Sequence, residues 1–211
     1  MDSALMDFFG GVTWENRSGM PGVVVELWLY ELVRWLLPIG ICLMFTGAYL
    51  KKQRETEMLS CYRYGSIFAW WRRKFVRSLF AGLLAGGALV AAAIVYDAAM
   101  AVKFSVESVK IIVLWSVHIM TLMSFMLVLE QTRLKGISAI ALLLLEGFTF
   151  MLGFEYSKII PFMCGMWGMY LQSDWYDSQK TLCASSVIIV QGILILLSFL
   201  QGAAQERIKE K

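Results

Sequence analysis

Two ionisable side chains stand where the surrounding sequence is otherwise apolar. His118 lies near the middle of the run 110–129, and Glu146 near the middle of the run 137–154. An imidazole and a carboxylate can share or exchange a proton. An ionisable group at the centre of a bilayer costs roughly 2.5 kcal/mol or more on insertion scales, so it faces protein or water. Ser116, Thr121 and Ser124 add polarity beside His118; Gly147 and Thr149 neighbour Glu146. The two residues can line a path for substrate or form a proton-responsive pair, with a satisfied buried contact as the alternative. Their positions in sequence do not establish that they meet.

Little other chemistry is available. The chain has one histidine and four cysteines, Cys42, Cys61, Cys164 and Cys183. A two-histidine zinc site is therefore excluded, and no cysteine pair has metal-ligand spacing. Neither a G-x-x-x-x-G-K-[ST] loop nor a G-x-S-x-G elbow occurs. The chain thus binds no ATP by the P-loop mechanism, and nothing supports an enzyme.

The elements that must position His118 and Glu146 follow from composition. Of 211 residues, 59% are hydrophobic and only 17% charged, against about 25% charged in a soluble domain. The charges cluster and leave long apolar runs, which read as an all-α, polytopic membrane bundle forming one domain over 1–211. Spans are expected within 27–50 and at 78–97, 110–129, 137–154 and 183–202. In the first, Glu31 and Arg34 are three apart and can pair, and Pro38 is placed to kink the helix. Residues 1–22 are mixed and Gly-rich and read as a non-spanning, partly interfacial segment. The acidic N-terminus (Asp2, Asp7) lacks the basic region of a signal peptide, so the first span is expected to direct insertion.

Charge sets the topology. Segment 51–77 carries Lys51, Lys52, Arg54, Arg63, Arg72, Arg73, Lys74 and Arg77. The positive-inside rule makes it cytoplasmic and the N-terminus external. The apolar piece Ile159–Leu171 is too short for a full crossing and contains Pro161, Gly165 and Gly168. If it does not span, the basic tail Arg207, Lys209 and Lys211 falls inside. About five spans, N-out and C-in, with a re-entrant or interfacial outer hairpin at 155–182, satisfy both length and charge; six spans is the alternative. In this arrangement Cys164 and Cys183 lie on the outer side, where they either bridge or remain free thiols. Trp167, Tyr170, Trp175 and Tyr176 suit an interfacial belt there, or a substrate-facing aromatic surface.

The net charge of +3 forms no nucleic-acid face. The basic cluster points instead to lipid headgroups or a protein partner. Within it, Thr56–Tyr64 can form about two helical turns, and Arg63-Tyr64-Gly65-Ser66 makes a break. Phe68, Trp70 and Trp71 with Arg72-Arg73-Lys74 form an aromatic and basic belt at the membrane entry. A cytoplasmic helix held there can anchor topology and also dock a soluble partner, through Tyr62, Arg63, Tyr64, Gly65, Ser66, Trp70 and Trp71. In the next span, Ser78, Gly82 and Gly86 recur every four residues. This spacing permits close helix packing, within the chain or at a dimer seam.

Arg63-Tyr64-Gly65-Ser66 followed by Trp70-Trp71 and a basic residue resembles the cytoplasmic segment of small permeases of type-2 ATP-binding-cassette (ABC) exporters. The similarity is greatest to those of Gram-positive bacteria linked to bacteriocin or modified-peptide export and immunity. Phe8-Phe9-Gly10-Gly11 is similar to that group's outer loop. The resemblance implies that this segment contains a coupling helix seated on a separate ATPase. It also implies a re-entrant outer hairpin before the last helix, a second permease copy (homo- or heterodimer), a peptide or amphiphilic substrate, and the bacterial cell membrane as location. ATP and Mg²⁺ would sit on the partner, with no cofactor on this chain. The family normally begins inside with an additional first helix, which here is missing or has its place taken by the short stretch Asp2–Gly10. A proton-coupled secondary transporter using His118 and Glu146, and a non-transporting scaffold or sensor, are the other readings.

Overall fold

The computed structural model describes residues 3–12, 24–55, 66–132, 134–155, 163–180 and 182–209. Among these residues, six α-helices run in chain order: α1 (Ala4–Phe9), α2 (Val24–Glu55), α3 (Ile67–Ala99), α4 (Val106–Glu130), α5 (Ser138–Glu155) and α6 (Ala184–Lys209). Two single 3₁₀ turns, Cys164–Met166 and Tyr170–Gln172, lie between α5 and α6. Among the described residues there is no strand, only an isolated bridge between Ser173 and Leu182.

Four helices (α2, α3, α4 and α6) are long and apolar enough to cross a membrane, over Leu29–Gln53, Ile67–Ala99, Val106–Glu130 and Ala184–Gln205. The fifth apolar helix, α5, has 18 residues, or about 27 Å, just under a hydrocarbon core of about 30 Å. Leu84, Val95, Leu144 and Ile189 are each more than 60% exposed. An apolar surface this extensive fits a bundle that meets lipid.

The second span begins earlier than its hydropathy suggests. Ser66 caps α3, its Oγ accepting from the Ala69 N–H at 3.2 Å, so the helix takes in Phe68–Arg77 before the apolar run starts. The start of α5 is closed differently. Glu130, ending α4, accepts from the Gly136 N–H at 3.1 Å and from the Ser138 hydroxyl. Gly136 has φ +93°, a conformation that favours glycine. Pro38 lies within α2, which continues through it.

The helix α4 is the centre of the packing, and it meets α3 across the small-residue face expected from the sequence. A Cβ on Gly82 would stand 2.5 Å from Met123 Cγ, and one on Gly86 would stand 2.7 Å from the Trp115 ring. Ser78 is also fully buried. These three residues therefore serve packing within the chain. At the other end of α3, Asp97 binds the first helix. Its carboxylate accepts from the Ser3 hydroxyl at 2.5 Å, the Ala4 N–H at 2.6 Å and the Leu5 N–H at 3.2 Å. That caps α1 and satisfies N–H groups with no partner inside a six-residue helix. Leu5, Phe9 and Val12 are buried in the core. Residues 3–12, read from sequence as part of an interfacial segment, thus pack on the chain's own helices, because Leu5 and Phe9 share one helical face and Asp97 holds it inward.

Two adjacent glycines separate packing from helix propensity. Gly86→Ala drives a methyl into Trp115 and is expected to destabilise by about 1–3 kcal/mol. At Gly87 a Cβ meets nothing within 4 Å, so Gly87→Ala is expected to be neutral or to stabilise by up to about 1 kcal/mol. Thermal unfolding of the two variants in detergent compares them. Equal shifts would contradict the proposed seat for α4.

Candidate functional site

His118 and Glu146 meet. Each sits halfway along its helix, α4 and α5 respectively, and His118 Nε2 lies 3.3 Å from Glu146 Oε2. The side chains are 2% and 0% exposed. The contact needs one proton between the two atoms, carried either by the imidazole or by the carboxyl. Trp35 of α2 stacks on the imidazole with ring centroids 6.2 Å apart and 28° between planes. One turn further along α4, the Thr121 hydroxyl shares its one proton between the Val117 carbonyl at 2.9 Å and Gln191 Oε1 of α6 at 3.0 Å. Four membrane-length or apolar helices thus contribute polar side chains to one layer.

That layer is incompletely satisfied. His118 Nδ1, Glu146 Oε1, Trp35 Nε1 and Gln191 Nε2 are buried and have no hydrogen-bond partner among the described residues. Each such atom costs about 1–3 kcal/mol. Buried atoms of the same kind occur elsewhere among the described residues, at Thr46 Oγ1 and Trp115 Nε1, so the layer is set apart by the His118–Glu146 contact at mid-helix depth.

The segment after α5 closes over the pair. A Cβ on Gly168 would lie 2.8 Å from the His118 ring. One on Gly165 would overlap the Thr149 hydroxyl and stand 3.0 Å from Glu146 Oε2. Both positions need glycine because backbone there touches mid-helix side chains. The segment is fastened on three sides. Leu171 N–H donates to the Gly10 carbonyl at 2.9 Å, and the Gln172 amide donates to the Val12 carbonyl. Gly11, beside them, has φ +88°, and a Cβ there would meet Met169. The Lys110 ammonium of α4 donates to the Trp175 carbonyl at 3.4 Å. Asp174 Oδ1 accepts from the Ala184 N–H at 2.8 Å, at the start of α6.

The other candidate residues fall elsewhere. Cys164 and Cys183 are both free thiols. The bridge does not form here: Cys164 opens the turn beside Glu146, and Cys183 is exposed, accepting from the Ser186 hydroxyl at 3.3 Å. Of the four aromatic residues expected in a belt, Tyr170 is buried in the core and Tyr176 is exposed. Tyr62, Arg63, Tyr64 and Gly65, and the helix expected over Thr56–Tyr64, lie outside the described residues. Ser66 is the cap of α3. The expectation that Trp70 and Trp71 are docking residues in an aromatic belt is corrected: they are 4% and 0% exposed. The Trp71 Nε1–H donates to the Phe199 carbonyl of α6 at 2.9 Å. Its indole fills the space a Cβ on Gly202 would take. Lys74 lies over the Trp70 ring at 4.8 Å. The two indoles face the chain's own core because α6 ends against them.

Three contributors to the site and its supports are absent from the sequence reading. In sequence, Asp97 is the polar end of a span, Trp35 is bulk, and Gln191 is an incidental polar residue. An amide in an otherwise apolar run is itself a signal of interhelical bonding, so Gln191 carries a usable sign. The cap on α1 and the stack on His118 are tertiary and leave none.

The fit of Gly168 to His118 predicts a change in accessibility. In a Cys42→Ala/Cys61→Ala background, maleimide is expected to label exposed Cys183 quickly and half-buried Cys164 slowly. Gly168→Ala lifts the turn from His118 and is expected to speed Cys164 labelling about tenfold, leaving Cys183 unchanged. Unchanged Cys164 labelling would mean that the turn does not depend on this contact.

No family model, curated protein or solved structure matches this chain, so its function rests on its own residues.

Proposed function

We propose that the chain is the membrane-spanning subunit of an ABC exporter, using ATP hydrolysed by a separate ATPase to move a peptide or amphiphile. On this reading it lies in a bacterial cell membrane with five spans, α5 included, N-terminus out and C-terminus in. The segment 155–182 dips in from outside, and a second permease copy completes the path. The observation that carries the reading is the way α3 begins. The resemblance to a coupling segment runs on into α3, through Trp70-Trp71 and Arg72, and Ser66 caps that helix. Trp71 then bonds it to Phe199 of α6 within two turns. A partner seated on about residues 52–75 would therefore meet the start of α3 where it is joined to α6. The far end of α3 holds α1 through Asp97, and α1 adjoins the segment lying on His118. A push at one face thus has a connected route to the polar layer, and on this reading that layer supplies a lining for substrate.

A proton-coupled secondary transporter is the second reading, favoured by the 3.3 Å contact between His118 and Glu146. The chain's small size and the lack of inverted repeats weigh against it.

Co-purification of the chain with a co-expressed P-loop ATPase tests the first reading. Arg63→Glu and Tyr64→Ala are each expected to weaken retention of the ATPase by about tenfold or more, since a reversed charge or a lost aromatic anchor at an interface costs about 2 kcal/mol. Retention unchanged in both would count strongly against docking here. Flux in proteoliposomes separates the two readings. ATP-dependent flux that survives Glu146→Gln removes the proton-coupled reading, whereas pH-driven flux without ATP, lost in that variant, removes the exporter.

A further inference from the structure

We infer that the outward face at the start of α3 is a binding site for an anionic phospholipid, with the phosphate at Arg72 and Arg77 and an acyl chain along Val76, Phe80 and Leu84. The helix has two unlike faces. Trp71, Phe75, Ser78, Gly82 and Gly86 are buried against α6 and α4. On the opposite side Arg72, Arg73 and Arg77 are exposed, and with Val76 they line a groove of about 360 Å³. Arg72 and Arg77 make no ion pair or hydrogen bond among the described residues, so two guanidinium groups lining one groove are open to the same anion. A guanidinium binds phosphate oxygens through a planar pair of N–H donors.

The tail follows from the same face. Val76 is 55% exposed, Phe80 62% and Leu84 61%. Together with Arg72 they recur every four residues and form one stripe along the helix. From Val76 to Leu84 the apolar part of the stripe is about 12 Å long, most of the roughly 15 Å half-thickness of a bilayer core. A charged head and an apolar rail most of a leaflet deep fit a phospholipid. A soluble anion would use only the arginines, and a soluble protein could not reach Phe80 or Leu84. The site rests on that reading only in sharing Arg72 and Arg73 with the proposed ATPase contact at about residues 52–75; Arg77, Phe80 and Leu84 lie beyond it, and lipid retention and ATPase retention are read separately.

The full chain, reconstituted in nanodiscs of phosphatidylcholine with a minor fraction of phosphatidylglycerol, is extracted into detergent and read by native mass spectrometry. The wild type is expected to retain phosphatidylglycerol in preference to phosphatidylcholine. Arg72→Gln/Arg77→Gln is expected to reduce that preference by about tenfold to thirtyfold, while Lys103→Gln, at the other end of the bundle, leaves it intact. The single variants Arg72→Gln and Arg77→Gln serve if the double variant does not fold, each with a partial loss. Phe80→Ser is expected to weaken retention of either lipid without changing the preference. Equal retention by wild type and variants would overturn the site. Displacement of the lipid by inorganic phosphate alone would also overturn it, since the arginines would then bind a free anion. Loss of a co-purified ATPase, with lipid retention unchanged, would reassign the face to a protein.

Discussion

Lipid offers helices little reason to associate through their apolar side chains, because the tails around them are equally apolar. What remains is close packing, with interhelical hydrogen bonds added where they can form. This bundle depends on the close packing of α4 between two sets of glycines. On one side Gly82 and Gly86 of α3 admit Met123 and Trp115; on the other, Gly168 admits the ring of His118. The same device joins α3 to α6, where Gly202 receives the indole of Trp71. In each case a large side chain sits directly on backbone, which concentrates many weak dispersion contacts in little space.

Once α4 is held this way, the position of the polar layer follows. His118 projects from the middle of α4 toward α5, where Glu146 is at matching depth, and Thr121 projects toward Gln191 of α6. These bonds are the second force available in lipid, and they fix which helix neighbours which. They also leave donors and acceptors unused, among them the N–H of the Trp35 indole that stacks on the imidazole. A bundle shaped only for stability would have completed or removed them. The buried contact between one histidine and one glutamate at mid-helix depth is the physical basis for placing a candidate site there.

Much of this is legible in the sequence because membrane spans are written in long-range composition. The spans expected at 110–129 and 183–202 correspond closely to the starts of α4 and α6, and the Glu31–Arg34 pair is present at 2.5 Å. The spacing of Ser78, Gly82 and Gly86 marks the packing face, and Gly165 with Gly168 argues against a helix where the described residues have only 3₁₀ turns. The failures have a common cause. Aromatic residues beside a basic cluster usually mark an interface, which places Trp70 and Trp71 at the surface, yet α6 ends where they point. A short, mixed segment usually lies at the interface, which places residues 3–12 there, yet Asp97 supplies the acceptors that let α1 enter the core. Hydropathy reports how a residue sits relative to water and lipid; it carries no information on which neighbour arrives from elsewhere in the chain.

The two ends of the bundle are held by different chemistry, and that difference bears on how it could move. At the Asp97 end the links are hydrogen bonds between a carboxylate, short backbone segments and turns, with Arg34 bridging Asp7 at 3.4 Å and Glu31 at 2.5 Å. At the Trp71 end they are aromatic, with Phe75 and Phe68 edge-on to Phe199 at 5.3 and 5.7 Å. Hydrogen-bonded turns exchange partners with water at modest cost, whereas interlocked rings must separate as a block. Of the two ends, the one at Trp71 is therefore tied more tightly than the one where segment 163–180 rests on α1 and His118. On the exporter reading proposed above, that difference puts the tighter end beside the ATPase contact and the looser one at the polar layer.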